Sequence, residues 1–227
     1  MSCYRLNDEL WFPPLMEAED FGLLAIGGDL SAERLLLAYS LGIFPWYNQG
    51  EPILWWSPDP RCVLFPSELH ISHSLQRFMK KSNYRISFNE NFAGVIYWCR
   101  GLRAGLDGSG TWITPEMRSA YLRLHELGFA HSVECWDEDQ LVGGLYGVCI
   151  GRCFFGESMF SRSDNASKVV LVRLMEYLQE RNFVLLDCQQ TTGHLLSMGA
   201  REISREEFQR HLQDAELPPY GDLVSCF

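Results

Sequence analysis

Apolar and polar residues follow one another in the second half of the chain in a pattern that predicts three consecutive strands. His131–Trp136 and Leu141–Ile150 are apolar segments separated by the polar residues Asp137–Gln140, which is typical of a β-hairpin. The second segment is apolar on both faces and contains three glycines, so we expect a buried central strand with a bulge or a close backbone approach. The segment CFFGESMF then continues the meander.

A helix and a further strand complete this half of the chain. Leu171, Leu174 and Leu178 form one apolar stripe of a helix that we predict from about Asn165 to Arg181. The apolar run from Val184 to Gln189 predicts a short strand. Strands followed by a helix and another strand are typical of an α+β (mixed α/β) fold, which is the class we predict.

The first half predicts helices separated by turns. Ser31 caps a helix that ends at Gly42, and residues 71–81 predict a second helix. A third helix is predicted within 111–128 and begins at Thr114-Pro115-Glu116, because threonine caps, proline suits the first turn and glutamate favours the positive end of the helix dipole.

Proline and tryptophan are concentrated in residues 44–61. Prolines at this density disfavour the interior of a strand or helix, so we expect these tryptophans to lie on fixed loops. We place a domain boundary at the end of this stretch. It separates a small N-terminal domain, residues 1–62, from a larger catalytic domain, residues 63–227.

Charge excludes one class of nucleic-acid binding. The chain has 19 basic and 29 acidic residues, a net charge of −10, so it does not bind nucleic acid through bulk positive charge. A basic window nevertheless occurs at residues 69–105. Within it, Arg77, Lys80 and Lys81 lie on one helical face, which suits local contact with phosphates, although a solvated helix face explains the same pattern.

The expected location is the cytoplasm. No stretch provides the roughly 20 apolar residues of a membrane-spanning helix, and the N-terminus MSCYRLNDELW has no apolar signal core. The eight cysteines include no C-x-x-C pair, which indicates reduced thiols rather than a disulfide framework.

Two carboxylates stand within apolar strands. Asp187 and Gln189 share one face of their predicted strand, and the same alternation places Phe155, Glu157 and Met159 together on another. Half-buried carboxylates and an amide beside apolar walls are typical of a concave site that holds an apolar group and orients a polar reaction. The alternative is structural: Asp187 caps a helix near Thr191, and Glu157 pairs with Arg152 or Arg162.

The sequence lacks the motifs of several common binding and catalytic sites. It contains no G-x-x-x-x-G-K-[ST], no G-x-G-x-x-G after a strand and no G-x-S-x-G, which removes support for ATP, NAD and serine-hydrolase chemistry. The histidine spacing does not match H-E-x-x-H. We therefore expect no cofactor and no metal.

A set of motifs in fixed order resembles one known family, the leucyl/phenylalanyl-tRNA-protein transferases. The resemblance covers roughly residues 20–210 and includes GGDLS (27–31), GIFPW (42–46), PILWWSPDPR (52–61), TWIT (111–114), GESMFSR (156–162) and DCQ (187–189). It implies transfer of leucine or phenylalanine, and less well methionine, from aminoacyl-tRNA to proteins with N-terminal arginine or lysine, which marks them for degradation. It also implies a GNAT-like larger domain and a monomer that needs no membrane.

The resemblance also implies roles for individual residues. The reaction-centre residues are Asp187, Gln189 and Glu157, and the tRNA-binding residues are Arg77, Lys80 and Lys81. The terminal adenosine of the donor would contact Trp46 and Trp112. The pocket for the transferred side chain would include Leu145, Phe154, Met159, Leu174 and Leu186. Our hypothesis is that Asp187 with Gln189 orients the acceptor amine and helps to remove its proton, while Glu157 fixes the donor amino acid or its ribose.

Three other functions stay open at this point. A peptidoglycan-bridge aminoacyltransferase uses the same class of donor, although such chains are typically longer and have a duplicated domain. A non-catalytic tRNA-binding module would use the tryptophans and the basic helix, and a CoA-dependent N-acyltransferase would share the GNAT-like fold.

Overall fold

The computed structural model describes residues 3–101 and 111–217, which form two sheets and the helices around them. The small sheet has the order β1-β2-β4-β3. Its strands are β1 (Tyr4–Leu6), β2 (Leu23–Gly27), β3 (Phe44–Pro45) and β4 (Leu54–Trp56). β1 pairs with β2 in parallel, and the other pairs are antiparallel.

The large sheet has seven strands in the order β11-β5-β10-β9-β8-β7-β6. Its strands are β5 (Arg61–Leu64), β6 (Arg85–Phe88), β7 (Ala130–Asp137), β8 (Gln140–Ile150), β9 (Cys153–Ser161), β10 (Leu185–Gln189) and β11 (Arg201–Ile203). Only the pair β9–β10 is parallel, because the long helix between these strands carries the chain back across the sheet. The sheet is therefore mixed, and the predicted α+β (mixed α/β) class is confirmed.

Helices cover both faces of the large sheet. They are α1 (Ala32–Ser40), α2 (His73–Lys81), α3 (Phe92–Gly101), α4 (Pro115–Glu126), α5 (Ala166–Glu180), α6 (Gly193–Ser197) and α7 (Arg205–Asp214). The apolar residues of α1, α3, α4 and α7 pack into one core cluster, and those of α2 and α5 pack into a second. The central strands β8, β9 and β10 are therefore buried from both sides, which explains their nearly continuous apolar sequences.

Local sequence signals set the helix boundaries. The hydroxyl groups of Ser31 and Thr114 accept hydrogen bonds from the first turns of α1 and α4, as predicted. The longest described helix, α5, has 15 residues. Among the described residues, no helix combines the length and the apolar character needed to cross a bilayer.

The structure corrects the prediction for the proline- and tryptophan-rich stretch. Phe44–Pro45 and Leu54–Trp56 are strands of the small sheet rather than loops, and Trp55 is fully buried. Pro45 is tolerated because β3 is an edge strand, where a missing N–H donor breaks no interior ladder. Trp46, just beyond β3, is 38% exposed and agrees with the prediction.

The two sheets share one core. Residues of the small sheet, including Leu24 and Trp55, belong to the same cluster as the residues of α3, α4 and β8. β5 begins at Arg61 and belongs to the large sheet. The division into domains at residue 62 stays a prediction.

Candidate active site

A bulge in β9 sets the position of Glu157. On the neighbouring strand Tyr146 is opposite Ser158 and Gly147 is opposite Gly156, so Glu157 is an extra residue in β9. The alternation of side chains changes at this point. Phe155 consequently packs into the α1/α4 side of the sheet, whereas Met159 packs on the α5 side. The prediction that Phe155, Glu157 and Met159 share one face is therefore wrong.

Glu157 is buried in a cluster of hydroxyl groups. Its Oε1 accepts from Tyr39 Oη at 2.6 Å and from Gln189 Nε2 at 2.8 Å, and its Oε2 accepts from Tyr121 Oη at 2.8 Å. The two phenol oxygens are themselves 2.5 Å apart. Burial raises the pKa of Glu157 to about 7 despite these donors, and burial next to this carboxyl holds the pKa values of both tyrosines well above their usual range.

The number of protons in this cluster explains why the carboxyl favours its protonated form. When Glu157 is ionised, both phenols donate to it, and the contact between Tyr39 and Tyr121 has no proton of its own. When Glu157 is protonated, one phenol–carboxyl contact changes direction: the carboxyl donates to one phenol, which donates to the other, which donates to the carboxyl. All three contacts then have a proton.

A second bulge, in β10, brings Gln189 to this cluster. The pairing with β5 shifts register between Asp187 and Gln189, and Gln189 adopts a left-handed backbone conformation with φ of 61°. Its backbone N–H donates to Asp187 Oδ1 at 2.9 Å, while its side chain donates to Glu157. Asp187 and Gln189 therefore reach the same site because the backbone turns between them, and not because side chains alternate along a regular strand.

Asp187 is fully buried and paired with an equally buried arginine. Arg61 Nε donates to Oδ1 at 2.8 Å, and Nη2 donates to Oδ2 at 2.7 Å. The guanidinium lies 4.7 Å from the ring centroids of Phe44 and Phe208. This bidentate geometry fixes the orientation of the carboxylate.

Both structural alternatives for the carboxylates are wrong. Helix α6 is capped by Thr192, whose hydroxyl accepts from Leu195 N, so Asp187 does not cap it. Arg152 bonds to Glu216 and to a carbonyl oxygen. Arg162 bonds to a carbonyl oxygen and lies over Trp98.

Glu157, Asp187 and Gln189 line a cavity of about 390 Å³. Its polar wall contains Glu157, Asp187 and Gln189, and its apolar wall contains Leu145, Met159, Leu171, Leu174 and Leu186. Trp46 and Trp112 also line it. Two wall atoms, Ser158 Oγ and His194 Nε2, are buried and have no hydrogen-bond partner within the described part of the chain, so they are available to a polar ligand.

One predicted pocket residue lies elsewhere. Phe154 is fully buried in the cluster behind the apolar wall, together with Leu145 and Leu174, and does not line the cavity. The Phe154 side chain packs in the same cluster as these wall residues and supports them from behind. The basic residues Arg77, Lys80 and Lys81 are exposed on α2 and are not part of the cavity.

Sequence reasoning missed Arg61, Tyr39 and Tyr121. A buried aspartate requires a partner, which indicates that some arginine lies next to Asp187 but does not say which one. Arg61 is 126 positions away in sequence, and Tyr39 is 118 positions from Glu157. No local pattern identifies such pairs.

Residues 3–101 and 111–217 contain no group of three or more His, Cys, Asp or Glu side chains arranged to hold a metal ion. The cysteines of the same ranges are free thiols.

Comparison with known proteins assigns the chain to a family. Residues 63–213 match the model described as "Leucyl/phenylalanyl-tRNA protein transferase", and residues 28–59 match the model of the N-terminal domain of the same family. A leucyl/phenylalanyl-tRNA–protein transferase of Syntrophobacter fumaroxidans is 61% identical over 92% of this chain and 88% of that one. The chain belongs to the leucyl/phenylalanyl-tRNA protein transferase family.

A second relative also matches nearly the whole chain. A leucyl/phenylalanyl-tRNA–protein transferase of Azotobacter vinelandii is 57% identical over 99% of this chain and all of that one. As a member of the leucyl/phenylalanyl-tRNA protein transferases, the chain is an aminoacyltransferase. Among solved structures, a GCN5-related N-acetyltransferase from Kribbella flavida is similar with a TM-score of 0.37 and 10% identity, covering 72% of this chain and 57% of that one.

Proposed function

We propose that this enzyme transfers leucine or phenylalanine, and less well methionine, from aminoacyl-tRNA to the α-amino group of proteins that begin with arginine or lysine. The cavity is the observation that carries the proposal, since one space joins an apolar wall, two tryptophans and a polar group of Glu157, Asp187 and Gln189. A volume of about 390 Å³ is suitable for one amino-acid side chain and the groups attached to it.

The apolar wall selects the transferred amino acid. Leu145, Met159, Leu174 and Leu186 offer aliphatic and thioether surface, against which leucine and phenylalanine side chains gain free energy by burial. Trp46 and Trp112 provide aromatic surface for the terminal adenosine of the tRNA, because bases stack on indole rings. The family match supports this donor.

The polar wall handles the acceptor amine. A peptide α-amino group has a pKa of about 7.7 to 8.0, so a fraction is neutral near pH 7. Burial raises the pKa of Glu157 to about 7, so this carboxylate is well matched to accept the proton that the amine loses. Gln189 bonds to Glu157 at 2.8 Å and orients the amine beside it.

Asp187 takes a different part from the one first expected. Both of its oxygens accept hydrogen bonds from Arg61, and Oδ1 also accepts from the backbone of Gln189. It therefore positions Gln189, and the removal of the proton belongs to Glu157. The neutral amine attacks the ester carbon, the bond between this carbon and the ribose oxygen breaks, and the proton that the amine loses to Glu157 is balanced by one that the ribose oxygen takes up. The ester is already an activated acyl group, so the donor needs no further activation.

The acceptor and the cellular role complete the proposal. A net charge of −10 supports attraction of a cationic N-terminal residue. Modification of such proteins in the cytoplasm marks them for degradation. The enzyme acts as a monomer, with a small domain over residues 1–62 and a catalytic domain over 63–227.

The direct test is transfer from charged tRNA. Incubation with leucyl-tRNA carrying labelled leucine and a peptide that begins with arginine should give labelled peptide, whereas the same peptide with an acetylated N-terminus should give none. Absence of labelled peptide while the tRNA still binds would contradict the proposal and favour a binding module. Transfer that requires CoA would favour an N-acyltransferase.

Pocket selectivity gives a specific prediction. Met159→Ala removes part of the apolar wall and should lower leucine transfer by about 10- to 200-fold, the effect of about 1–3 kcal/mol of lost apolar contact, without abolishing tRNA binding. Met16→Ala is the control, because Met16 is 85% exposed. Rates of transfer and tRNA affinity are measured for both, and equal loss of both properties in Met159→Ala would contradict the assignment.

A further inference from the structure

Two cysteines face each other across β5 and β10 beside the cavity. Cys62 of β5 pairs with Gln189, and the next pair is Val63 with Asp187, so Cys188 is the extra residue of the β10 bulge opposite Cys62. Both side chains pack against the α5 side of the sheet. In a β-bulge two residues of one strand face one residue of the other, so Cys188 and Gln189 both face Cys62. Neighbouring strands lie about 4.7–4.9 Å apart, which suits the Cα separation that a disulfide spans.

The two thiols already interact. Contact with the Cys188 thiol holds the pKa of Cys62 below its usual range, and contact with Cys62 together with burial raises the pKa of Cys188 well above its usual range. Cys188 lines the cavity, whereas Cys62 is 1% exposed and lies behind it. A small reagent in the cavity therefore meets Cys188 first.

We propose that Cys62 and Cys188 are a reversible oxidation site, which a low-molecular-weight disulfide converts to a Cys62–Cys188 disulfide through the cavity. The Cys188 sulfur attacks one sulfur of the oxidant, its S–S bond breaks, and one thiolate leaves and takes the proton that the cysteine loses. The Cys62 sulfur then attacks Cys188, the protein disulfide forms, and the second thiol leaves with the second proton. Two electrons and two protons pass from the protein to one molecule of oxidant.

The disulfide would act on the reaction through the β10 bulge. Cys188 lies between Asp187 and Gln189, whose contacts with Arg61 and Glu157 depend on the conformation of this turn. A covalent bond to β5 draws Cys188 towards Cys62 and displaces Gln189 from Glu157. This second part rests on the proposed function, while formation of the disulfide rests on the thiols alone.

The experiment treats the full chain with oxidised 2-mercaptoethanol and follows two readouts. Peptide mass mapping should find the peptides of Cys62 and Cys188 joined, with the loss of two hydrogen atoms and no retained reagent. Leucine transfer should fall by about 100-fold, the size expected when a reacting group is displaced by about 1 Å. Dithiothreitol should restore it.

Two variants provide the controls. Cys62→Ala should keep the activity of the reduced enzyme, and after treatment its mass map should show the reagent retained on Cys188 instead of joined peptides. Cys62→Ser repeats the test should the alanine variant fold poorly. Cys3→Ser should behave like the unchanged chain, because Cys3 is half-buried near the N-terminus and far along the chain from both cysteines. Cys135 is fully buried and does not line the cavity, so a reagent in the cavity does not reach it.

The outcomes separate the two parts. Retained reagent on Cys188 without a link to Cys62 would overturn the proposed disulfide. A mapped disulfide with unchanged transfer would overturn its effect on the reaction. Absence of the reagent from Cys188 in Cys62→Ala would also overturn the proposal, because Cys188 is the thiol that reacts first. Lack of transfer even in the reduced enzyme would instead count against the proposed function, and the mass map would still decide the disulfide.

Discussion

At the scale of single residues, two buried carboxylates of one cavity are stabilised in opposite ways. Asp187 is neutralised by Arg61, through hydrogen bonds of 2.8 and 2.7 Å. Glu157 has only neutral donors, and burial raises its pKa to about 7. A carboxyl paired with an arginine and a carboxyl with a raised pKa therefore lie side by side, and the proposed function gives them different roles.

Removing Arg61 should strongly destabilise the protein. Arg61→Met leaves Asp187 as an unpaired buried charge, for which we expect a loss of about 3–5 kcal/mol in the free energy of unfolding. Urea denaturation measures it. The control, Arg173→Met, breaks an exposed pair with Glu176 and should cost about 0–1 kcal/mol.

A second substitution checks the cause. Adding Asp187→Asn to Arg61→Met should recover part of the loss, because the unpaired charge is gone. Equal costs for the Arg61 and Arg173 variants would show that the buried pair contributes no more than a surface pair.

Glu157→Gln should change how stability depends on pH. Between about pH 4.5 and about pH 7 the folded protein keeps a proton on Glu157 that the unfolded chain releases, so raising the pH through this window destabilises the fold. Glu157→Gln has no such proton to release, so it lacks this loss of stability with rising pH. Its stability relative to the unchanged chain should therefore be greater at pH 8 than at pH 5, by about 3 kcal/mol.

Denaturation at both pH values measures this difference, with the exposed Glu9→Gln as control. A difference that does not change with pH would contradict a raised pKa of Glu157. The pH dependence of the transfer rate offers an independent check. Its inflection near pH 7 should disappear in Glu157→Gln and remain in Asp187→Asn.

At the scale of elements, the site depends on bulges in two adjacent strands. The β9 bulge makes Glu157 an extra residue, and the β10 bulge turns Gln189 towards it. Gly147 of β8 lies opposite the first bulge, and a Cβ there would be 2.2 Å from the carbonyl oxygen of Phe155. The missing side chain thus allows β8 and β9 to approach each other.

Gly147→Ala should disturb this arrangement. We expect a loss of about 1–3 kcal/mol in stability from the overlap with the backbone of β9, together with reduced transfer because Glu157 shifts. Gly193→Ala is the control, since a Cβ at Gly193 contacts nothing within 4 Å. Thermal or urea denaturation compares them, and equal stability of the two variants would argue against a required close approach.

At the scale of the whole molecule, charge is distributed unevenly. The chain has a net charge of −10, yet Arg77, Lys80 and Lys81 are exposed together on α2. Arg85, in the same basic window, is paired with Glu90 and contributes little to it. Arg103 lies outside the described residues. We therefore keep the proposal that helix α2 binds the phosphates of a tRNA.

Replacing Arg77, Lys80 and Lys81 by glutamine should weaken tRNA binding in a salt-dependent way. Each lost phosphate contact lowers the slope of log affinity against log salt by about 0.7 to 0.9. Titrations at several salt concentrations measure the slope. Glutamine at the exposed Arg5, Arg123 and Arg173 gives the same change in net charge. Equal slopes for the two triple variants would exclude a specific role of α2.

The sequence by itself determined the elements with local signals and the class of the fold. The hairpin β7–β8, the caps Ser31 and Thr114 and the helix α5 follow from periodicity and from side chains that bond to nearby backbone. The chemistry of Asp187, Gln189 and Glu157 was also visible, because polar groups in apolar strands need a reason. Family motifs then indicated the reaction.

Only the tertiary structure decided how these groups are arranged. One extra residue in β9 reverses the alternation of side chains, so Met159 faces the cavity while Phe155 does not. The partners Arg61, Tyr39 and Tyr121 come from distant segments. The physical reason is that periodicity reports the neighbours within one element, whereas bulges and buried partners are set by packing between elements.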